Sequence, residues 1–259
     1  MINLFKVAIY TDEAGSTLAS SKSIISELNI PNVIFRNVDN RNILKYDETR
    51  IKAVLKEFED FTVAGLSTDI RIDDMLSDDQ IFDLRKKIYL IRPVIVRFGW
   101  SGEKYSTEFI ARIIDMSIES NFIPVIEYEH THFNSPKIIK AQDWVGLLSL
   151  SKRLRVNFDP VQYLMRVRTD PIETVYVPLR NQVSVIDVRD YKIGVGAKTI
   201  GYGSIDWAAL LKRLYSDKYN GWLAIKPSLG IMHGDTLGRE MVFSHAFSNF
   251  KETLEEACQ

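Results

Sequence analysis

The chain has 259 residues, 46% hydrophobic and 26% charged, enough for one large core or two modest ones in an ordinary globular protein. Its 33 basic and 34 acidic residues leave a formal net charge of −1, so neither nucleic acid nor an acidic membrane is an expected partner, and any anion binding must be local. No apolar run nears the ~18 residues needed to span a bilayer, Met1-Ile2-Asn3-Leu4-Phe5-Lys6 lacks a signal-peptide pattern, and the single Cys258 excludes an internal disulfide, which together make the cytoplasm the expected compartment.

Taken in order, Phe5–Thr11 is a β-branched and aromatic run followed by the polar turn Asp12–Thr17, a strand leading into a helix. That helix carries Leu18, Ile24, Ile25 and Leu28 and stops at Asn29-Ile30-Pro31. Val33–Val38 reads as the second strand. Asp47 opens a helix with Ile51, Val54, Leu55 and Phe58 on one face, and Phe61–Leu66 reads as the third strand. A helix over Asp78–Leu90 precedes strand four, Pro93–Gly99, and a helix over Glu103–Asn121 precedes strand five, Ile123–Glu129. Ser135–Arg153 is expected to be helical, Arg155–Asp159 a short strand six, and Asp170–Leu179 a less regular helix. The segment Val183–Asp190 supplies strand seven, Trp222–Pro227 strand eight, and Thr236–Glu256 a closing helix.

This alternation, with short connections and no linker-like tract, predicts a single (β/α)8 TIM barrel of parallel strands over residues 1–259; such barrels typically take about 250 residues. An open doubly wound sheet would call for a Gly-rich turn after strand one, and Asp12-Glu13-Ala14-Gly15-Ser16 is not one. Chemistry in parallel α/β folds collects where strands give way to the loops that follow them. That rule singles out Glu127 and Glu129, which share one face of strand five by period two, together with Asp159, Asp187, Asp190 and Lys226. Arg36, Arg97 and Arg189 lie within strands, where an inward arginine needs an anion: a substrate phosphate or the interior carboxylates. His130 and His132 face away from Glu129 on an extended strand and are not expected to ligate with it, whereas His233 follows strand eight and could reach the barrel mouth.

Five short stretches, Ile9-Tyr10-Thr11-Asp12-Glu13, Phe35-Arg36-Asn37-Val38, Val96-Arg97-Phe98-Gly99, Asn157-Phe158-Asp159-Pro160 and Gly201-Tyr202-Gly203-Ser204-Ile205-Asp206-Trp207, resemble in succession the xylose isomerase-like TIM-barrel family. The resemblance implies a sugar or sugar-phosphate isomerase or epimerase, with a small-molecule sugar as partner and homo-oligomers as the common assembly. It further implies a divalent metal on a glutamate of strand five, an aspartate of strand six, a histidine of strand seven and a glutamate of strand eight. Carried over, these positions are Glu129 or Glu127, Asp159, Asp187 and Lys226, so two of the four have changed type.

Asp187 in place of histidine exchanges a nitrogen ligand for an oxygen one, and an all-oxygen site shifts preference toward Mg²⁺ or Mn²⁺. Lys226 is harder to accommodate, because an ammonium and a dication about 4 Å apart repel by roughly 8 kcal/mol at an effective dielectric near 20. Three readings stand open. Lys226 replaces the metal by neutralising Glu129, Asp159 and Asp187; or it is a desolvated base or Schiff-base former; or it is an ordinary rim lysine. With Glu129, Glu127 and Lys226 as catalytic candidates and Arg36, Arg97, Arg189 and Asp190 as substrate-binding ones, the leading expectation is an isomerase or epimerase. The competing one is a sugar-binding or regulatory barrel without catalysis. An AP-endonuclease-like role is disfavoured by four histidines and a charge of −1.

Overall fold

A computed structural model describes residues 4–128, 140–167, 170–227 and 238–258. Eight parallel strands close into a barrel: β1 (Lys6–Tyr10), β2 (Asn32–Phe35), β3 (Thr62–Arg71), β4 (Ile95–Trp100), β5 (Ile123–Tyr128), β6 (Arg155–Phe158), β7 (Val183–Val188) and β8 (Trp222–Ile225). They neighbour one another in sequence order, and β8 pairs with β1 through Lys6↔Trp222 to Ile9↔Ile225. The outer helices are α1 (Leu18–Glu27), α2 (Glu48–Glu57), α3 (Asp78–Ile91), α4 (Thr107–Glu119), α5 (Ala141–Ser149), α6 (Pro160–Val167), α7 (Trp207–Ser216) and α8 (Arg239–Ala257). The predicted TIM-barrel class is therefore the observed one.

Local chemistry sets several helix boundaries. The Thr17, Asp47, Ser77, Ser106 and Asp206 side chains each accept a hydrogen bond from a first-turn N–H, and α4 accordingly starts at Thr107 rather than at Glu103. Helix α6 was not expected, because Asp159-Pro160 reads as a strand end and turn. Proline is tolerated in a first helical turn, where its missing N–H would be unpaired anyway, and the Asp159 carboxylate accepts a hydrogen bond from Val161 N–H at 3.1 Å. Two hairpins also went unread: Asn37–Val38 with Arg41–Asn42, which turns through positive φ at Asp39 and Asn40, and Asp190–Lys192 with Gly196–Lys198. The segment Ile172–Tyr176 is a π-type turn running into Val177–Leu179 rather than a regular helix. Predicted starts at Ser135 and Thr236 lie outside the described residues.

Two cores follow from strand period. Residues of the outward faces and the helices, such as Ile9, Phe35, Leu66, Phe98, Ile126, Ile186 and Leu223, form the layer between sheet and helices. A separate inner cluster of Ala8, Tyr10, Ile34, Ala64, Ile95, Val125, Val185 and Ala224 fills the barrel. Small side chains on β1, β3 and β8 make room there for the larger ones opposite, as a filled barrel interior requires. Two residues further along four strands, and so on the same inward face, stand Arg97, Glu127, Asp187 and Lys226. The apolar plug therefore gives way to a charged layer at the C-terminal mouth.

The last helix closes the ring onto the first turn. Ser16 donates from its backbone N–H and from Oγ to Glu240 Oε1, at 3.1 and 3.0 Å, and Arg239 donates to the Asp12 carbonyl at 3.1 Å. Hydrogen bonds from the Ser16 backbone, Glu240's own N–H and the Ser20 side chain hold the Glu240 carboxyl down to about 2, from an ordinary 4.5. A depressed folded-state pKa stabilises above the unfolded value and loses that contribution as pH falls through the folded one. The stability difference between wild type and Glu240→Gln, measured by urea unfolding, is thus expected to be full above pH 4.5 and to shrink as pH is lowered toward about 2; a difference independent of pH would contradict the clamp.

Candidate functional site

At the mouth, β4, β5, β6, β7 and the end of β8 contribute a shared set of ion pairs. Arg97 Nη2 lies 2.5 Å from Glu127 Oε2 and 3.0 Å from Asp187 Oδ2. Lys226 Nζ lies 3.2 Å from Glu127 Oε1 and 3.3 Å from Asp187 Oδ2, so the two cations bridge the same two carboxylates. Asn157 Nδ2 also donates to Asp187 Oδ2, at 3.3 Å. One step further out, Arg189 binds Asp159 in a forked pair, its Nε 3.0 Å from Oδ1 and its Nη2 on Oδ2. Arg97, Glu127, Asp159 and Asp187 are buried, while Lys226 and Arg189 keep 13% and 16% of their side chains exposed. Among the described residues three cations face three carboxylates, and such pairing is the condition for keeping this many charges inside a protein.

Backbone pairing fixes these positions. Ala224 is in register with Asp187, Gly99 with Glu127 and Glu127 with Asn157, and Lys226 N–H donates to the Val188 carbonyl at 3.1 Å. The Tyr10 ring forms the shared floor. Lys226 Nζ, Arg97 Cζ and Arg36 Cζ stand 5.5, 5.2 and 5.1 Å from its centroid, all within cation–π range.

The same geometry decides the protonation states. Burial alone would push the Asp187 carboxyl up, but Arg97, Lys226 and Arg189 together hold it well below the usual carboxylate range. For Asp159 burial wins against Arg189, and its carboxyl is raised. Arg97 and Arg189 pay a desolvation penalty and are nevertheless raised by the surrounding carboxylates, so both stay charged.

Glu127, Asp159, Asp187, Lys226, Arg97 and Arg189 thus meet as the strand ends suggested. The arginines answer the interior carboxylates. Arg36 does not join them directly: it pairs with Asp12 and Glu13, both at 2.8 Å, and Asn37 supports Asp12 at 2.9 Å. Asp190, expected to meet substrate, is engaged by the backbone of its own loop. Its carboxylate accepts hydrogen bonds from Tyr191, Gly201, Gly203 and Ile205 N–H groups at 2.8 to 3.2 Å, which folds the β7–α7 loop around it. A Cβ at Gly203 would stand 1.9 Å from that carboxylate, which is why the loop needs glycine there. Glu129, His130, His132 and His233 lie outside the described residues. Tyr10 and Asn157 were missed as site residues, although the inward alternation of β1 and β6 was a signal for both.

No protein-family model matches the sequence, and no curated protein does. Among solved structures, the chain is similar to a xylose isomerase domain protein from Alicyclobacillus acidocaldarius, with 12% identity over 98% of this chain and 100% of that one and a TM-score of 0.72. It is similar to an IolI protein solved with a binding zinc atom, with 11% identity over 98% and 99% and a TM-score of 0.71. A sugar phosphate isomerase/epimerase from Parabacteroides distasonis gives 9% identity over 96% and 95% and a TM-score of 0.61. The fold is thus that of xylose isomerase-like barrels.

The IolI protein was solved with zinc, and in this chain one oxygen each of Glu127, Asp159 and Asp187 lies within 4.8 Å of the others. The donor set nonetheless does not fit a divalent ion. Glu127 and Asp187 already carry Arg97 and Lys226, Asp159 carries Arg189, and a dication among them would sit beside the Lys226 ammonium at a cost of roughly 8 kcal/mol. Removing one partner from such a network leaves uncompensated buried charge. Lys226→Met is therefore expected to destabilise the fold by about 3 kcal/mol in urea unfolding, and adding Glu127→Gln is expected to recover part of that loss; a Lys226→Met change below about 0.5 kcal/mol would refute the network.

Proposed function

We propose that the chain is an isomerase or epimerase of a small sugar or sugar phosphate, working at the C-terminal mouth of its barrel. The observation that carries this reading is the pair of fixed cations, Lys226 and Arg97, poised on Glu127 and Asp187 where strands end. Moving a proton next to a sugar carbonyl builds negative charge on the carbonyl oxygen, and a preorganised donor aimed at that oxygen lowers the barrier. Lys226, partly exposed, is the donor a bound carbonyl would meet. Arg189, also partly exposed, suits a ligand hydroxyl or phosphate. Glu127 and Glu129 of the strand-five end are the candidates for exchanging the proton. Asp159, with its raised carboxyl, is a further one. Buried polar atoms without a hydrogen bond at the floor, Tyr10 Oη, Asn157 Oδ1 and Arg97 Nη1, add donors and acceptors of the kind a polyol can match. The names of the similar solved structures support the same substrate class.

One observation favours a second reading. Asp187 is held by Arg97 and Lys226 well below the usual carboxylate range and is a weak base, while Glu127 and Asp159 are engaged by Arg97, Lys226 and Arg189. A barrel of this kind would bind a sugar without turning it over.

Incubating chelator-washed protein with ketoses, aldoses and their phosphates in D₂O, and following deuterium at the carbon beside the carbonyl by NMR, separates the two. Catalysis gives exchange that Lys226→Met lowers by about a hundredfold or more. Saturable binding by calorimetry with neither exchange nor isomerised product in the NMR spectrum establishes the binding barrel, and neither turnover nor binding across the panel rejects both.

A further inference from the structure

We infer that Lys226 is a tethered counter-ion that fills the carboxylate cage of Glu127, Asp159 and Asp187 in place of a divalent ion, so that one side chain decides whether this mouth holds an ammonium or a metal. The inference concerns the site of the proposed reaction but stands on the ion pairs alone, and deuterium exchange can fail without affecting it.

The cage is built for a cation at this point. Lys226 Nζ is held by Glu127 Oε1 at 3.2 Å, Asp187 Oδ2 at 3.3 Å and the face of Tyr10 at 5.5 Å. These are two anionic contacts and an aromatic face, which is the chemistry that seats an ammonium. The backbone end of the tether is fixed, because Lys226 follows β8 directly and its own N–H donates to the Val188 carbonyl.

The oxygens divide in a way that makes the lysine decisive. Arg97 takes Glu127 Oε2, whereas Lys226 takes Oε1. Arg97 and Lys226 share Asp187 Oδ2, while the fully buried Asp187 Oδ1 has no hydrogen-bond partner. Removing the ammonium therefore releases Glu127 Oε1 beside an already unpaired Asp187 Oδ1. A carboxylate at position 226 adds a third oxygen donor on the neighbouring strand, with Asp159 a step further out. An oxygen-only set of this kind suits Mn²⁺ or Mg²⁺.

The test is calorimetric titration of Mn²⁺ into wild type, Lys226→Glu and Lys226→Gln, with thermal melts of each protein with and without Mn²⁺ and circular dichroism to establish folding. Wild type is expected to show no saturable Mn²⁺ binding and no change in melting temperature. Lys226→Glu is expected to bind one Mn²⁺ per chain, more than about a hundredfold tighter than wild type, and to melt higher with the metal present. Lys226→Gln, near-isosteric and neutral, gives the same direction with a smaller effect and serves where the glutamate variant does not fold. Two results overturn the inference: one equivalent of Mn²⁺ on wild type that Glu127→Gln abolishes, or folded Lys226 variants that bind the metal no better than wild type.

Discussion

The bridge that Lys226 and Arg97 form across Glu127 and Asp187 is the constraint on which the mouth of this barrel depends. Four side chains from four strands carry formal charges in a largely buried layer. Taking each of them out of water costs several kcal/mol, and mutual attraction offsets that only when every charge meets a partner at close range. The arrangement meets the condition by sharing: each of the two carboxylates meets both cations. Such a network adds little net stability compared with an apolar core of the same shape, but it fixes which residue faces which. Its position is set in turn by the inner plug. Ala8, Ala64 and Ala224 keep that plug narrow enough for Tyr10 to lie under the cations.

The loops around the mouth use the same device of a buried or half-buried carboxylate collecting donors. Asp190 organises the β7–α7 loop through four backbone N–H groups, Asp12 and Glu13 receive Arg36 across the ends of β1 and β2, and Glu240 ties α8 to the turn after β1. These carboxylates are engaged in holding loops. The chemistry available to a ligand is thereby concentrated on Lys226, Arg189 and whatever Glu127 and Asp159 retain.

Much of this was written into strand period. The strand ends singled out Glu127, Asp187 and Lys226, and an inward Arg97 called for an anion such as the interior carboxylates; the structure brings the four onto one interior face, as a period of two allows. The barrel itself was legible from eight β-branched runs separated by helical stripes. What escaped has a physical cause in each case. Asp190 continues the same strand in sequence, and only loop closure, with glycine at position 203 admitting the carboxylate, reveals that it serves the backbone. Helix α6 was hidden because an Asp-Pro pair suits a turn and a helix start equally. The alternation of β1 points Tyr10 inward, but its role depends on three cations arriving from the end of β2, from β4 and from the end of β8, which that pattern does not bring together.

A barrel that carries its positive charge on a side chain differs chemically from one that borrows it from solution. The cation cannot dissociate, is limited to one charge, and donates hydrogen bonds instead of accepting lone pairs. Anomalous X-ray diffraction from crystals grown with Mn²⁺ tests that difference most directly. The ion pairs lead to a map with Lys226 Nζ between Glu127 and Asp187 and no anomalous peak among Glu127, Asp159 and Asp187. A strong peak bridging those carboxylates, with the lysine turned away, would contradict it.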